Sequence, residues 1–445
     1  MKKGFCLVLC LLLLLCGAGH AEEEYWSIPD CMRFSMETGV KTPLGYRTYI
    51  RRSYPVTVLP QVNAEIAGLV DEMALRPELQ PVCINEGYLD VTCRVQRSGQ
   101  SAMSFLVLGS TSADFEQTAV AFENRVYDME TGERILLPHL FLENSDVWQL
   151  LQKEVRSQLT AYYPQLEADE AALNALCQQE SLENAAFSLT PALLELHYPA
   201  ETLYPGRATV MHVRIPLRTL RPYVSDYGYR QTNNTGYQLA ALTYDDGPVR
   251  NTSLFVMDSL MAHGANATFF VVGSRINGHK ELLRREHDSG FSIASHNYIH
   301  TYDERDGNKL REWKALFDQL LCEVTGSVPH IMRAPGGFHD KFAKAKVGLP
   351  LIHWSLSSGD ATDDHSTAKY RMITQTIINQ TVGGTVVLMH DLNYESPRYT
   401  HDILEGLEKK NILCVTVEEL FLHYGVPLEE NVMYLGCTGV TPPPY

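Results

Sequence analysis

An α/β fold is predicted for the second half of this 445-residue chain, with a smaller α+β domain ahead of it. Three observations carry that reading. Beyond Tyr237, apolar runs of strand length alternate with helical patterns through to about Tyr424, the signature of an α/β barrel or a wound parallel sheet. Between Tyr54 and about Leu220, helical and strand-like stretches instead mix without that regular alternation. The length itself calls for two domains, each able to bury its own core.

The chain opens on Met1-Lys2-Lys3, a Leu-rich core from Phe5 to Cys16, and small residues in Gly17-Ala18-Gly19-His20-Ala21. This reads as a secretory signal, too short for a comfortable membrane span, and places the mature protein outside the cell. Cleavage after Ala21 removes two lysines and takes the formal charge from −16 to −18. Leu13-Leu14-Leu15-Cys16 imitates a lipoprotein signal, but bulky Leu15 stands where a small residue is wanted and argues against a lipid anchor. An acidic chain without a long Lys/Arg cluster gains nothing from phosphate backbones, which excludes nucleic acid as the main partner.

Of ten cysteines, three lie in the signal, leaving Cys31, Cys83, Cys93, Cys177, Cys322, Cys414 and Cys437. The remainder is odd and contains no CxxC spacing, which argues against a zinc–cysteine site and leaves at least one thiol free or intermolecular. Cys83 and Cys93 are spaced for a bridge across a hairpin.

Helices are predicted over Val62 to Leu75, Val147 to Tyr162 and Glu170 to Glu180, and strands over Tyr88 to Val95 and Ala121 to Tyr127. A turn at Glu130-Thr131-Gly132-Glu133 precedes the apolar run Ile135 to Leu140. Pro222 to Tyr237 loses periodicity and is taken as an interdomain linker. The helix near Asn308 to Val324 carries Leu310, Trp313, Phe317, Leu320 and Leu321 on one packing stripe. The expected organisation is a signal over 1–21, an accessory domain over 22–228, a catalytic domain over 229–425 and an extended surface tail over 426–445.

The chemistry concentrates at strand ends. The run Gln238 to Leu242 leads into Thr243-Tyr244-Asp245-Asp246-Gly247-Pro248, two adjacent carboxylates followed by a turn. The segment Phe291 to Ala294 ends in Ser295-His296-Asn297-Tyr298-Ile299-His300. Alone, the acids before Gly-Pro fit a turn and the histidines fit a solvated pair. In order, at the ends of two strands, an Asp and two His make a metal site with open positions, as a catalytic metal requires. Met332 to Gly337, Trp354 to Asp360 and Val386 to Asp391 are further strand ends that converge on one mouth of a barrel.

These five segments, in this order, resemble the motifs of the NodB-homology polysaccharide deacetylases, carbohydrate esterase family 4, over about Gln238 to Tyr424. The resemblance implies a distorted (β/α)7 barrel, one divalent metal, zinc or another ion such as cobalt, and hydrolysis of acetyl groups on glycans. Carried over, Asp246, His296 and His300 bind the metal. Asp245 is the general base on a water at that metal, His390 the general acid, and Arg333 keeps Asp245 ionised and aimed. The backbone N–H of Gly336 stands at the oxyanion position, with Pro335 and Trp354 beside the substrate.

Three departures stand out. Ser357 occupies the place of the Asp that supports the acidic His, leaving Asp360, Asp363 or Asp391 to substitute, and Ala361 replaces an aromatic residue. Asn297 replaces the Ser or Thr after the first ligand His. Upstream, Asp128 to Phe141, Phe187 to Thr190, Leu194 to Tyr198 and Val213 to Pro216 resemble the extracellular domain shared by the anti-sigma factor RsiV and the peptidoglycan deacetylase PdaC. That pairing implies a wall-facing accessory domain that binds glycan or protein.

The resulting expectation is a secreted, metal-dependent hydrolase that removes N-acetyl groups from peptidoglycan or a related N-acetylated glycan. Two alternatives stay open: an esterase of O-acetylated xylan or exopolysaccharide, and a weakened wall-binding or sensing protein, for which Ser357 is the sole support.

Overall fold

The computed structural model describes residues 32–41, 47–81, 86–113 and 116–443. The signal expected at 1–21 and the Cys83 half of the expected bridge lie outside them. Contacts divide the chain into two compact units, one running up to Cys93 with Val107–Phe122 added, the other made of Arg94–Leu106 and everything from Glu123.

In the first unit, β1 (Met32–Lys41) pairs antiparallel with β2 (Arg47–Pro55). Strand β2 runs parallel to the start of β3 (Glu86–Ser98). The helix Pro60–Ala74 begins on a proline and buries Val62, Ile66, Leu69, Val70 and Met73, one stripe at helical spacing. Two further long strands, β4 (Ala102–Ala113) and β5 (Glu116–Asp128), complete this part of the chain.

From Glu123 the second unit continues with the hairpin of β5 and the short β6 (Glu133–Arg134). The apolar run Ile135 to Leu140 then forms a 3-10 turn at Leu137–Leu140, where Pro138 cannot donate to a ladder. The helix Val147–Ala161 buries Val147, Leu151, Val155 and Leu159, and the segment 170–183 breaks into two helices, Glu170–Leu176 and Gln179–Glu183. Strands β7 (Phe187–Leu189), β8 (Leu193–Pro199) and β9 (Val210–Pro216) make an antiparallel sheet.

The boundary expected at 228/229 does not coincide with the division into units. Residues 123–228 share a unit with the barrel because buried polar contacts join them. Val210 N donates to Asp288 on a barrel helix at 2.8 Å and Tyr163 N to the Gly326 carbonyl at 2.8 Å, while within the upstream part Glu195 on β8 accepts from Arg94 at 2.7 Å and from Arg214 at 3.0 Å. A proton chain lies beside them. The Ser188 hydroxyl meets His197 Nε2 at 2.9 Å, His197 Nδ1 meets His212 Nδ1 at 2.9 Å, and His212 Nε2 meets the His287 carbonyl at 3.1 Å. The carbonyl fixes the hydrogen on His212 Nε2, so His212 Nδ1 accepts, His197 Nδ1 donates, and the serine hydroxyl donates to His197 Nε2. That assignment is the one for neutral rings, which burial favours by pushing the His197 pKa down to about 3 and the His212 pKa well down.

Pro222 to Tyr237 is not a linker. Ser225 caps the helix Asp226–Thr232 by accepting from Gly228 N, and Gln231 and Tyr227 donate to Asp128 at 3.0 and 3.2 Å. These bonds outweigh the loop-like composition.

The barrel follows. Its parallel strands are β10 (Gln238–Asp245), β11 (Ala267–Val271), β12 (Ser292–Ser295), β13 (Leu351–Ile352) running on into β14 (Leu356–Ser357), β15 (Val386–His390) and β16 (Ile412–Cys414). Pairing runs β12–β11–β10–β15–β14, and single bridges from Ser295 to Met332 and from Met332 to Leu351 close the ring. Met332 is all that remains of a strand at that position. Strand β16 joins only the first residues of β10, Gln238–Ala240. The result is a distorted (β/α)7 barrel.

Strand period decides what points inward. Ala240, Leu242 and Tyr244 pack in the layer that includes the helices Arg250–Ala262 and Ser396–Glu408, whereas Leu239 and Ala241 belong to the inner cluster with Phe270, Ala294, Ile352 and Val386. Thr243 and Asp245 continue the inner parity of β10, and His390 continues that of Val386 on β15. The tail is not extended on the surface: β17 (Met433–Tyr434) pairs with β13, and Cys437 is fully buried. An apolar segment beside an open strand edge gains both ladder bonds and burial.

Candidate active site and metal centre

Asp245 and His390 are direct register partners on adjacent strands. Asp246 follows with φ 76°, in the left-handed region that Asp tolerates better than most residues. That break lets two consecutive carboxylates reach one place, although a strand would send them to opposite faces. Asp246 Oδ1 lies 3.3 Å from His296 Nε2 and 3.2 Å from His300 Nε2, and Asp245 Oδ2 lies 3.8 Å from His296 Nε2. Gly247 is required here, since a Cβ would sit 2.4 Å from Asp391 Oδ2. Asn297, at φ 66°, turns the chain so that His296 and His300 meet, its amide donating to the Ile299 carbonyl at 3.1 Å. Asn suits that backbone better than Ser or Thr does.

The atoms fit a cation. His296 Nδ1 lies 2.9 Å from the Arg333 carbonyl, which puts its hydrogen on Nδ1 and leaves the Nε2 lone pair facing Asp246. Asp246 Oδ1 is buried without a hydrogen-bond partner. Lone pairs aimed at each other repel, and a positive ion between them removes the conflict. Ligand atoms on bonds of about 2.1 Å stand roughly 3.0–3.5 Å apart, the spacing seen here. Among the described residues, Asp246, His296 and His300 are the group of this kind. Burial lowers the His300 pKa, which favours the neutral ring that a cation needs.

Arg333 is wholly buried and fully engaged. Nη1 donates to Asp245 Oδ1 and to Thr243 Oγ1, both at 2.7 Å. Nε and Nη2 donate to the carbonyls of Ile352 and His353 at 3.1 and 2.9 Å. Its guanidinium lies over the Phe270 ring at 4.1 Å and 5.7 Å from the Trp354 ring. With Oδ1 held by Arg333, Asp245 keeps Oδ2 on the side of the cluster.

His390 has a carboxylate partner, and it is Asp360. Nδ1 lies 2.8 Å from Asp360 Oδ1, the backbone N–H donates to Oδ2 at 2.8 Å, and Ser358 Oγ donates to Oδ1 at 2.6 Å. Burial alone lowers the His390 pKa. The hydrogen bond and charge of Asp360, with Asp245 and Asp246, outweigh it and push the value up to about 9. Ser357 is exposed and plays no such part. The sole support for a disabled site thereby disappears.

Pro335 is buried and starts the turn that carries Gly336 at φ 63°. Gly337 N and Phe338 N donate to the Ala334 and Pro335 carbonyls, while Gly336 N–H makes no bond within the loop. Trp354 packs on His353, ring centroids 3.8 Å apart. Thr243, Ser358 and Asp360 were not singled out as primary site residues. Inner strand parity signals the first, but nothing short of the loop geometry signals the others.

Residues 232–349 match the polysaccharide deacetylase family. The chitooligosaccharide deacetylase of Bradyrhizobium sp. is 30% identical over 167 residues, 35% of this chain and 72% of that protein. The chain belongs to the polysaccharide deacetylase family. This deacetylase is also 25% identical over 377 residues to the peptidoglycan-N-acetylglucosamine deacetylase PgdA of Listeria monocytogenes, covering 79% of this chain and 77% of that one. The solved structure of the peptidoglycan deacetylase PdaC from Bacillus subtilis is 26% identical, with a TM-score of 0.39, over 42% of this chain and 91% of that one.

Proposed function

We propose that this deacetylase removes N-acetyl groups from peptidoglycan or a closely related N-acetylated glycan outside the cell. The observation that carries the reading is the meeting of a base, an acid and a cation cradle within one barrel mouth: Asp245 opposite His390, beside Asp246, His296 and His300. Asp246, His296 and His300 would hold a divalent cation, zinc by the nitrogen and oxygen donors offered, and when bound it would supply Lewis acidity.

The chain's own residues do the rest. Asp245 Oδ2 takes a proton from the attacking water, and Arg333 holds that carboxylate pointed through Oδ1. The Gly336 N–H, unused within its loop, donates to the developing oxyanion. His390, held protonated by Asp360, gives its proton to the departing nitrogen as the C–N bond breaks, leaving acetate and a free amine.

The Listeria relative, named for peptidoglycan N-acetylglucosamine, aligns over more of the chain than the barrel accounts for, which supports a wall substrate over xylan. Secretion rests on the residue pattern at 1–21, and a wall-facing role for the accessory region on the resemblance stated above.

Mass spectrometry of muropeptides from peptidoglycan incubated with the zinc-loaded protein tests the reading. Loss of one acetyl mass from a glucosamine- or muramic-acid-containing fragment is expected. Unchanged muropeptides alongside deacetylated xylan would move the substrate class.

A further inference from the structure

Gly336 has no side chain, yet the space beside it is filled. A Cβ there would lie 2.7 Å from Tyr302 Cε1 and 3.0 Å from Phe338 Cε2. Tyr302 arrives from the loop after His300, and its ring meets the His300 ring edge-on at 5.1 Å and the Phe338 ring at 5.8 Å. Lys341 Nζ donates to the Tyr302 carbonyl at 2.7 Å, tying this loop to the helix His339–Ala345. Tyr302 is nevertheless 53% exposed and Phe338 55% exposed. Two adjoining aromatic rings held in place but left in water, next to a metal-ligating imidazole and the loop N–H of Gly336, do little for the fold. A pyranose ring presents flat C–H faces that stack on such a surface.

We propose that Tyr302, backed by Phe338, is the wall on which the N-acetylated sugar stacks, so that the acetyl group is set between Gly336 and the cluster of Asp246, His296 and His300. Tyr302 is a specificity-determining residue and takes no part in bond making. The inference rests on the glycan reading above.

Tyr302→Ala and Tyr302→Phe are compared with the wild type on N-acetylated chitooligosaccharides and on 4-nitrophenyl acetate, which carries an acetyl group without a sugar. Isothermal calorimetry titrates the same oligosaccharide into each zinc-loaded protein. Tyr302→Ala is expected to raise KM and weaken calorimetric binding about tenfold with kcat little changed, and Tyr302→Phe to keep both near wild type. The ratio of kcat/KM on the oligosaccharide to kcat/KM on 4-nitrophenyl acetate should fall about tenfold in Tyr302→Ala and hold in Tyr302→Phe. Equal binding and KM in wild type and Tyr302→Ala would overturn the proposal, as would a Phe variant as impaired as the Ala variant. Failure of the glycan reading shows differently, as no acetate release by the wild type; the calorimetric comparison then decides Tyr302 by itself.

Discussion

His390 Nδ1 lies 2.8 Å from Asp360 Oδ1, although the two residues approach from different strand ends and Asp360 precedes the histidine by thirty positions. Asp360 thereby supplies the charge that Ser357 lacks.

The alkaline limb of the pH profile follows from that contact. His390 must be protonated to act, so activity should persist up to its pKa of about 9 and fall above it. Asp360→Asn removes the largest raising influence, so this limb should move to lower pH and kcat at pH 8 should drop about tenfold to hundredfold. Ser357→Ala should leave the profile unchanged. Rate against pH for the three proteins checks this.

Arg333 is buried, and its removal strands the Asp245 charge. Arg333→Met should cost about 3–5 kcal/mol of stability, the usual penalty for breaking a buried pair from one side. Urea denaturation of the metal-free proteins measures it without interference from the ion.

How much of this was legible in the sequence depends on how far apart in the chain the partners lie. Asp245, Asp246, His296 and His300 announce themselves because inner strand parity and strand ends leave a local pattern. The barrel strands likewise read as apolar runs, being buried on both faces. Asp360 was one of three acids open to the role, since only the fold of residues 358–360 aims it, through Ser358. The helix Asp226–Thr232 was read as a linker because Gly, Asn and Thr suggest a loop, while the deciding partner, Asp128, lies about a hundred residues upstream. The tail after Gly425 carried no sign of the β13 edge that it pairs with.

The cation should act on stability as well as rate. If Asp246, His296 and His300 share one ion, zinc at about a hundred times its Kd should stabilise the fold by about 2.7 kcal/mol. Thermal melting with and without chelator should show that shift in the wild type and not in His296→Ala.

Acid should loosen the protein early. Charging the buried chain Ser188–His197–His212 is opposed by burial, which depresses the pKa of His197 to about 3 and moves that of His212 well down. Folded values below the ordinary 6.5 mean that the unfolded state takes up the protons first. This stabilisation is therefore complete above pH 6.5 and is lost as pH falls from there toward about 3, at about 1.4 kcal/mol per pH unit for each histidine. Urea midpoints at pH 7, 6 and 5 should fall steadily; a flat line contradicts the neutral chain.

The cation cradle and the base are separate pieces of one site, and Asp245→Asn divides them. Zinc content and acetate release from peptidoglycan, measured on the same preparation of this variant, test the account most directly. The expected result is one equivalent of zinc, as in the wild type, with acetate release abolished. Release at the wild-type rate from the zinc-loaded variant would contradict it.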